Sequence, residues 1–171
     1  MNSSTLQPTE YASYYSPYIK AVGEVNLIEE LERSLTTFEE FLNQIPLEKH
    51  EFRYAEGKWT IKDIVQHLID TERVFAYRSL RFARKDQTPL HGFDENEYVE
   101  ATDASKRTLA NLLEEYKSVR WSTVHLFKSF TEEELMHIGI ASTNSFSVRA
   151  IGFIAVGHQK HHQRIFTERY L

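Results

Sequence analysis

Apolar residues recur at intervals of three and four along most of the chain, the spacing that places them on one face of an α-helix. Ile28, Leu31, Leu35, Phe38, Leu42 and Ile45 form the first such stripe. Asn26, with Glu29 three residues later, reads as the capping pair that opens this helix, and Pro46 closes it. Residues 46–58 form a connector. Thr60 then stands as an N-cap, Asp63 as a variant of the capping-box acid, and Trp59 with Ile64 as a hydrophobic staple, so a second helix begins at Ile61. Its apolar face is Ile61, Ile64, Val65, Leu68, Phe75, Ala76 and Phe82, and the pattern carries it to about Lys85.

Residues 86–102 contain a proline and a glycine among polar and aromatic residues, and read as a long ordered loop around His91, Phe93 and Tyr98. Loops longer than about 12–15 residues are uncommon in compact domains unless functional, so this one is expected to act as a lid. A third helix spans Ser105 to Lys128, with Leu109, Leu112, Leu113, Tyr116, Thr123 and Phe127 inward. Phe130, Thr131, Glu134 and Leu135 supply a second staple and capping box for a short helix, which a polar stretch, Ser142 to Ser147, follows. The last helix covers Val148 to Leu171. Residues 1–24, polar and rich in tyrosine (Tyr11, Tyr14, Tyr15, Tyr18), are expected to lie across the bundle as an arm.

Four long amphipathic segments, little strand alternation and no fixed repeat predict an all-α fold. It is read as an antiparallel four-helix bundle with an N-terminal arm and a short extra helix, one domain over residues 1–171. The long connector after the second helix leaves the order of the helices in the bundle open.

Composition narrows the function. The 171 residues are 41% hydrophobic and 26% charged, with no cysteine and a net charge of -5. Disulfides, thiolate ligands and a cysteine nucleophile are therefore excluded, and any thiol must arrive with a substrate. The acidic balance argues against a nucleic-acid partner. The basic cluster Arg78, Arg81, Arg84 and Lys85 reads as solvated surface. No apolar run approaches the roughly 18 residues of a membrane span, and the start lacks the marks of a signal peptide, so a cytoplasmic location is the expectation.

The candidate chemistry sits in the last helix. With Ile151 at zero, Ile154, Ala155, His158, His162, Ile165 and Arg169 all project within roughly 60°. His158 and His162 thus occupy the apolar face one turn apart, where Cβ atoms lie about 5–6 Å from each other and two imidazoles can share an ion. His161 falls about 80° off that axis, at the edge of the stripe. His67 projects about 120° from Ile61, on the shoulder of the second helix, and can reach a seam between helices. These three histidines are the candidate metal ligands. Three neutral ligands leave an ion its full double charge, and an open position then makes it a Lewis acid for water or a thiol. Gln159 stands where zinc proteases of the His-Glu-x-x-His type carry their general base. Glu72 projects about 20° from the centre of its stripe, and Arg120 lies on the inward face of the third helix. They are read first as a buried ion pair that fixes helix register, and second as candidate catalytic residues. His50, His125 and His137 are read as structural.

The run KWTIKDIVQHLIDTERVFAYRSLRFARKDQTPLHGFDENEYV, followed by GHQKHHQRIFTERYL, resembles the DinB-like (DinB/YfiT-type) superfamily of bacterial four-helix proteins, and the likeness covers most of the chain. In that family a histidine on the second helix and an H-x-x-x-H pair on the last one bind a divalent metal; His67, His158 and His162 match those positions. The expected ion is zinc or nickel, with manganese or iron as further candidates. The resemblance implies a thiol S-transferase or hydrolase acting on a small electrophile, with a low-molecular-weight thiol as a candidate partner, or alternatively a non-catalytic metal-binding bundle, stress-related or structural. A homodimer is a further expectation.

Overall fold

Capping side chains set the boundaries of the long helices. The structure, a computed structural model, describes residues 1–171. Three 3-10 turns (Ser3–Thr5, Pro8–Glu10, Ser13–Tyr15) lead into α1, Ser16–Val22. Asn26 caps α2, Leu27–Asn43, by accepting from the Ile28 and Glu29 amides. Thr60 and Asp63 form the reciprocal box that opens α3, Ile61–Ala83. Inside the stretch expected to be an irregular loop, Asp94 caps a seven-residue helix, α4, Glu95–Ala101. The third long helix, α5, spans Leu109–Lys128; it starts later than Ser105 because the Thr108 hydroxyl accepts from the Asn111 amide and fixes the first turn there. Thr131 and Glu134 box the start of α6, Glu132–Met136.

The next segment departs from the helical expectation. Ile138–Ala141 (β1) and Asn144–Ser147 (β2) pair antiparallel around Ser142 and Thr143, both at positive φ, the backbone a two-residue hairpin turn requires. Ser147 then caps α7, Val148–Ile165. The chain finishes in one π-helical turn, Phe166–Tyr170. That wider turn shifts the phase of the stripe, so Phe166 and Tyr170 are buried while Arg169, expected on the apolar face, is exposed.

The bundle consists of α2, α3, α5 and α7. Helix α3 packs against α5 and α7, and α2 packs against the same two. Consecutive helices α2 and α3 therefore stand diagonally opposite, and the long connector between them crosses one end of the bundle. The arm packs through α1 onto α7. It is pinned by a buried ion pair: Arg149 Nε donates to Glu10 Oε2 at 2.7 Å, and the Ser147 hydroxyl donates to the same oxygen at 2.7 Å. Gly157 allows the close approach, since a Cβ there would lie 2.3 Å from the Tyr18 carbonyl oxygen. No helix is long and apolar enough to cross a membrane.

Two apolar clusters fill the interior. One gathers Leu27, Leu31, Phe75, Phe127 and Ile154, the other Leu35, Phe38, Leu68, Leu112 and Tyr116. Between their helical registers lies a polar layer drawn from all four bundle helices: Ser34, Glu72, Arg120 and Gln159. The three candidate histidines belong to the same level of the fold.

Candidate metal centre

His67 comes from the second turn of α3, and His158 and His162 come from successive turns of α7. The packing of α3 on α7 brings the three rings together although 91 residues separate His67 from His158. His158 Nε2 lies 3.0 Å from His67 Nε2 and 3.0 Å from His162 Nε2. All three rings are buried, with 7%, 7% and 9% of their surface exposed for His67, His158 and His162. They form a cluster whose ligand atoms lie within 4.8 Å of one another.

Burial penalises the imidazolium form. It pushes His67 down to about 4. His158 and His162 are held well below the usual imidazole range, first by burial and then by neighbouring histidines that would share the charge. At neutral pH the three rings are neutral, each with one N–H and one lone pair. Three converging nitrogens of this kind do not make a closed hydrogen-bond set. His158 Nε2 as a donor can serve one neighbour well, and the other nitrogen then faces it unpaired. A cation accepts all three lone pairs at once. Two nitrogens that share an ion at about 2.0–2.1 Å each stand about 2.8–3.4 Å apart for bond angles between 90° and the tetrahedral value, and the two short separations of 3.0 Å fall within that range. The outer nitrogen of His67 fits as well, because Thr71 Oγ1 sits 3.4 Å from Nδ1 and can accept a hydrogen bond from its N–H. The outer nitrogen of His162 is buried with no partner.

The triad forms part of the wall of a cavity of ≈ 300 Å³. Trp59 packs on His67 with ring centroids 4.9 Å apart, and Tyr18 packs on His158 at 5.6 Å. Tyr18 also packs on His161 at 5.1 Å, so this half-buried third histidine of α7 lines the cavity beside the cluster without joining it. Tyr14 and Tyr15 of the arm close one side, and Phe93 and Glu95 close another. The 86–102 segment thus shapes the cavity through these two residues. The His91 side chain is exposed and takes no part in the lining.

A family model described as the DinB superfamily matches residues 30–166. The chain belongs to the DinB superfamily. This DinB chain is 26% identical over 113 residues to a Geobacillus thermodenitrificans protein named "Putative metal-dependent hydrolase"; the match covers 64% of the chain and 62% of that relative's length. Its fold is similar to that of YfiT from Bacillus subtilis, described as having an unusual four-helix bundle topology, with a TM-score of 0.75 at 17% identity over 83% of this chain and 82% of that one. In this DinB protein the three histidines are the group whose ligand atoms could hold a metal ion.

Two other sequence expectations concern charged residues in the interior. Glu72 and Arg120 meet: Arg120 Nε donates to Glu72 Oε1 at 2.7 Å and Nη2 donates to Oε2 at 2.8 Å. Arg120 Nη1 donates to Ser34 Oγ at 2.6 Å and to Gln159 Oε1 at 3.2 Å, and the Tyr116 hydroxyl donates to the same Gln159 oxygen. Both carboxylate oxygens of Glu72 are engaged, and neither residue lines the cavity. The pair matches the buried ion pair expected first for these two residues, and no oxygen of Glu72 is left without a partner. Gln159, in the place of a protease glutamate, is part of the same network. The correction is Arg78, which was expected among the surface cations. It is buried and lines the cavity. A signal for it existed: eleven residues after His67, it projects within about 20° of it on the same helix.

Proposed function

We propose that His67, His158 and His162 hold one divalent ion, zinc or nickel, and that the chain is a metal-dependent enzyme acting on a small electrophilic substrate in the adjoining cavity. The observation that carries this reading is the convergence of three neutral nitrogens on a cavity wall, with no fourth histidine or carboxylate in the cluster. A closed structural site is ordinarily four-coordinate through protein ligands, whereas a catalytic one keeps a position for water or substrate. An ion with three neutral ligands supplies Lewis acidity, polarising an electrophile and favouring deprotonation of a nucleophile beside it.

The chain's own residues do the rest. The aromatic side chains of Trp59, Phe75 and Tyr18 border the triad and give a small substrate apolar surface to lie on. Burial raises the Tyr18 hydroxyl above its usual range, and Tyr14 beside it adds to the shift; Tyr18 therefore remains a neutral hydrogen-bond donor at the cavity wall. Glu95 is the carboxylate in the lining, positioned by the first turn of α4. The hydrolase name of the Geobacillus relative supports water as the nucleophile. A low-molecular-weight thiol is the second reading. It draws on the absence of cysteine, which leaves any thiol to be brought in by a cosubstrate.

Substitution with cobalt(II) tests the open position. Azide or a small thiol added to the cobalt protein is expected to change the visible spectrum, and an unresponsive spectrum contradicts an enzyme site. Parallel assays of ester hydrolysis and thiol conjugation by the zinc and nickel forms, with His158→Ala as control, distinguish the two nucleophiles.

A further inference from the structure

Four cations are buried in this protein: Lys62, Arg78, Arg120 and Arg149. Three of them rest on a carboxylate, Lys62 on Glu51, Arg120 on Glu72 and Arg149 on Glu10. Arg78, with 5% of its surface exposed, rests on none. Its protein contacts both come from one nitrogen: Nη2 donates to the His91 carbonyl oxygen at 3.1 Å and to Ser142 Oγ at 3.1 Å. The Nε and Nη1 donors have no protein acceptor, although a guanidinium presents five donors in a planar fork suited to two oxygens. A buried charge normally demands a counter-charge. Here the side chain lines the same cavity as the histidine triad.

We propose that Arg78 is the recognition residue for a carboxylate on the substrate. Its two neutral contacts fix the guanidinium against the 86–94 segment and the β1–β2 turn, and the remaining face of the fork takes the anion. A carboxylate fits better than a phosphate dianion. One guanidinium balances one negative charge, and Glu95 in the same lining opposes a second. The position also sets the shape of the ligand. His67, Thr71, Phe75 and Arg78 follow one another on the cavity-facing side of α3, and at about 1.5 Å per residue the α-carbons of the first and last are about 16 Å apart along the axis. The substrate therefore carries its carboxylate at the Arg78 end and its reacting group several bonds away at the triad. The inference rests on the reading of this cavity as a substrate site, but the binding it describes does not require the ion.

Ligand-observed NMR titration of chelator-treated full-length protein tests it, with hexanoate, hexanamide and hexyl phosphate as probes. Removal of metal prevents a carboxylate from binding an ion instead of the guanidinium, and metal content of the untreated protein is measured alongside. The two readings thus fail separately. Hexanoate is expected to bind at least tenfold more tightly than hexanamide. Arg78→Gln, which keeps a donor for His91 and Ser142, is expected to abolish that preference, and Arg78→Lys, which keeps charge without the fork, to reduce it by threefold or more. Circular dichroism checks that each variant is folded; if Arg78→Gln is not, the wild-type preference and the Arg78→Lys value decide. Equal binding of acid and amide by the wild type, or a preference undiminished in the folded variants, would overturn the proposal. Hexyl phosphate binding more tightly than hexanoate would overturn the choice of carboxylate.

Discussion

His67 Nε2 and His158 Nε2 stand 3.0 Å apart across the α3–α7 interface, and His158 Nε2 is equally close to His162 Nε2. The middle ring touches both others, so it is the centre of the cluster. If the triad is a chelate, His67→Ala leaves an i, i+4 pair on α7 that can still hold an ion loosely. Loss of a partner that only orients a ligand costs about 10–100-fold in affinity, and loss of a ligand is expected to exceed that range. Competition with a chromophoric chelator measures it.

Acid should destabilise the metal-free protein before it protonates the carboxylates. The unfolded chain binds protons on its imidazoles below pH about 6.5, whereas native His67 resists protonation down to about 4. His158 and His162 are displaced in the same direction. In that window the unfolded state carries more protons, so stability falls as pH falls, at up to about 1.4 kcal/mol per pH unit for each buried ring. Urea denaturation at pH 7.5, 6 and 5 is expected to show the decline, and His67→Phe to make it shallower. A flat profile would contradict neutral burial of the rings.

Glu72→Ala is expected to destabilise the fold by about 3–5 kcal/mol, because it strands the Arg120 charge in the interior. Replacing both together, with Leu at 72 and Met at 120, should recover most of that loss. Neither change should alter the metal content, since neither side chain belongs to the triad. Chemical denaturation with elemental analysis of the same samples separates this structural role from a part in catalysis.

Gly157→Ala tests how the arm closes the cavity. Alanine is favoured over glycine inside a helix by about 1 kcal/mol, yet the added Cβ meets the Tyr18 carbonyl. Overpacking of this kind costs about 1–3 kcal/mol. The variant should be less stable on balance, and its arm more rapidly cut by trypsin after Lys20. Unchanged proteolysis would show that the arm does not depend on this contact.

The caps were the most legible part of the sequence. Thr60 with Asp63 and Thr131 with Glu134 are short-range signals, and the structure makes both boxes. The stripe on the last helix likewise put His158 and His162 on the inner face, because i, i+4 geometry is local. Features that depend on tertiary contact were not legible. The β1–β2 hairpin turns at Ser142 and Thr143, which lack the asparagine-glycine signature, and α4 is only seven residues long. Arg169 was misplaced because periodicity assumes an α-helical phase, and the final π turn changes it. Arg78 was misread for a related reason: its angle on α3 matched that of His67, but only the hairpin and the 86–94 segment packed over it turn that face into a buried wall.

The most direct test of the metal centre is elemental analysis of untagged wild-type protein beside His158→Ala. About one divalent ion per chain in the wild type, falling to near zero in a variant that keeps its helical circular dichroism, is the predicted result. A wild-type protein that retains no metal after equilibration with zinc or nickel, or a variant that retains as much as the wild type, would contradict it.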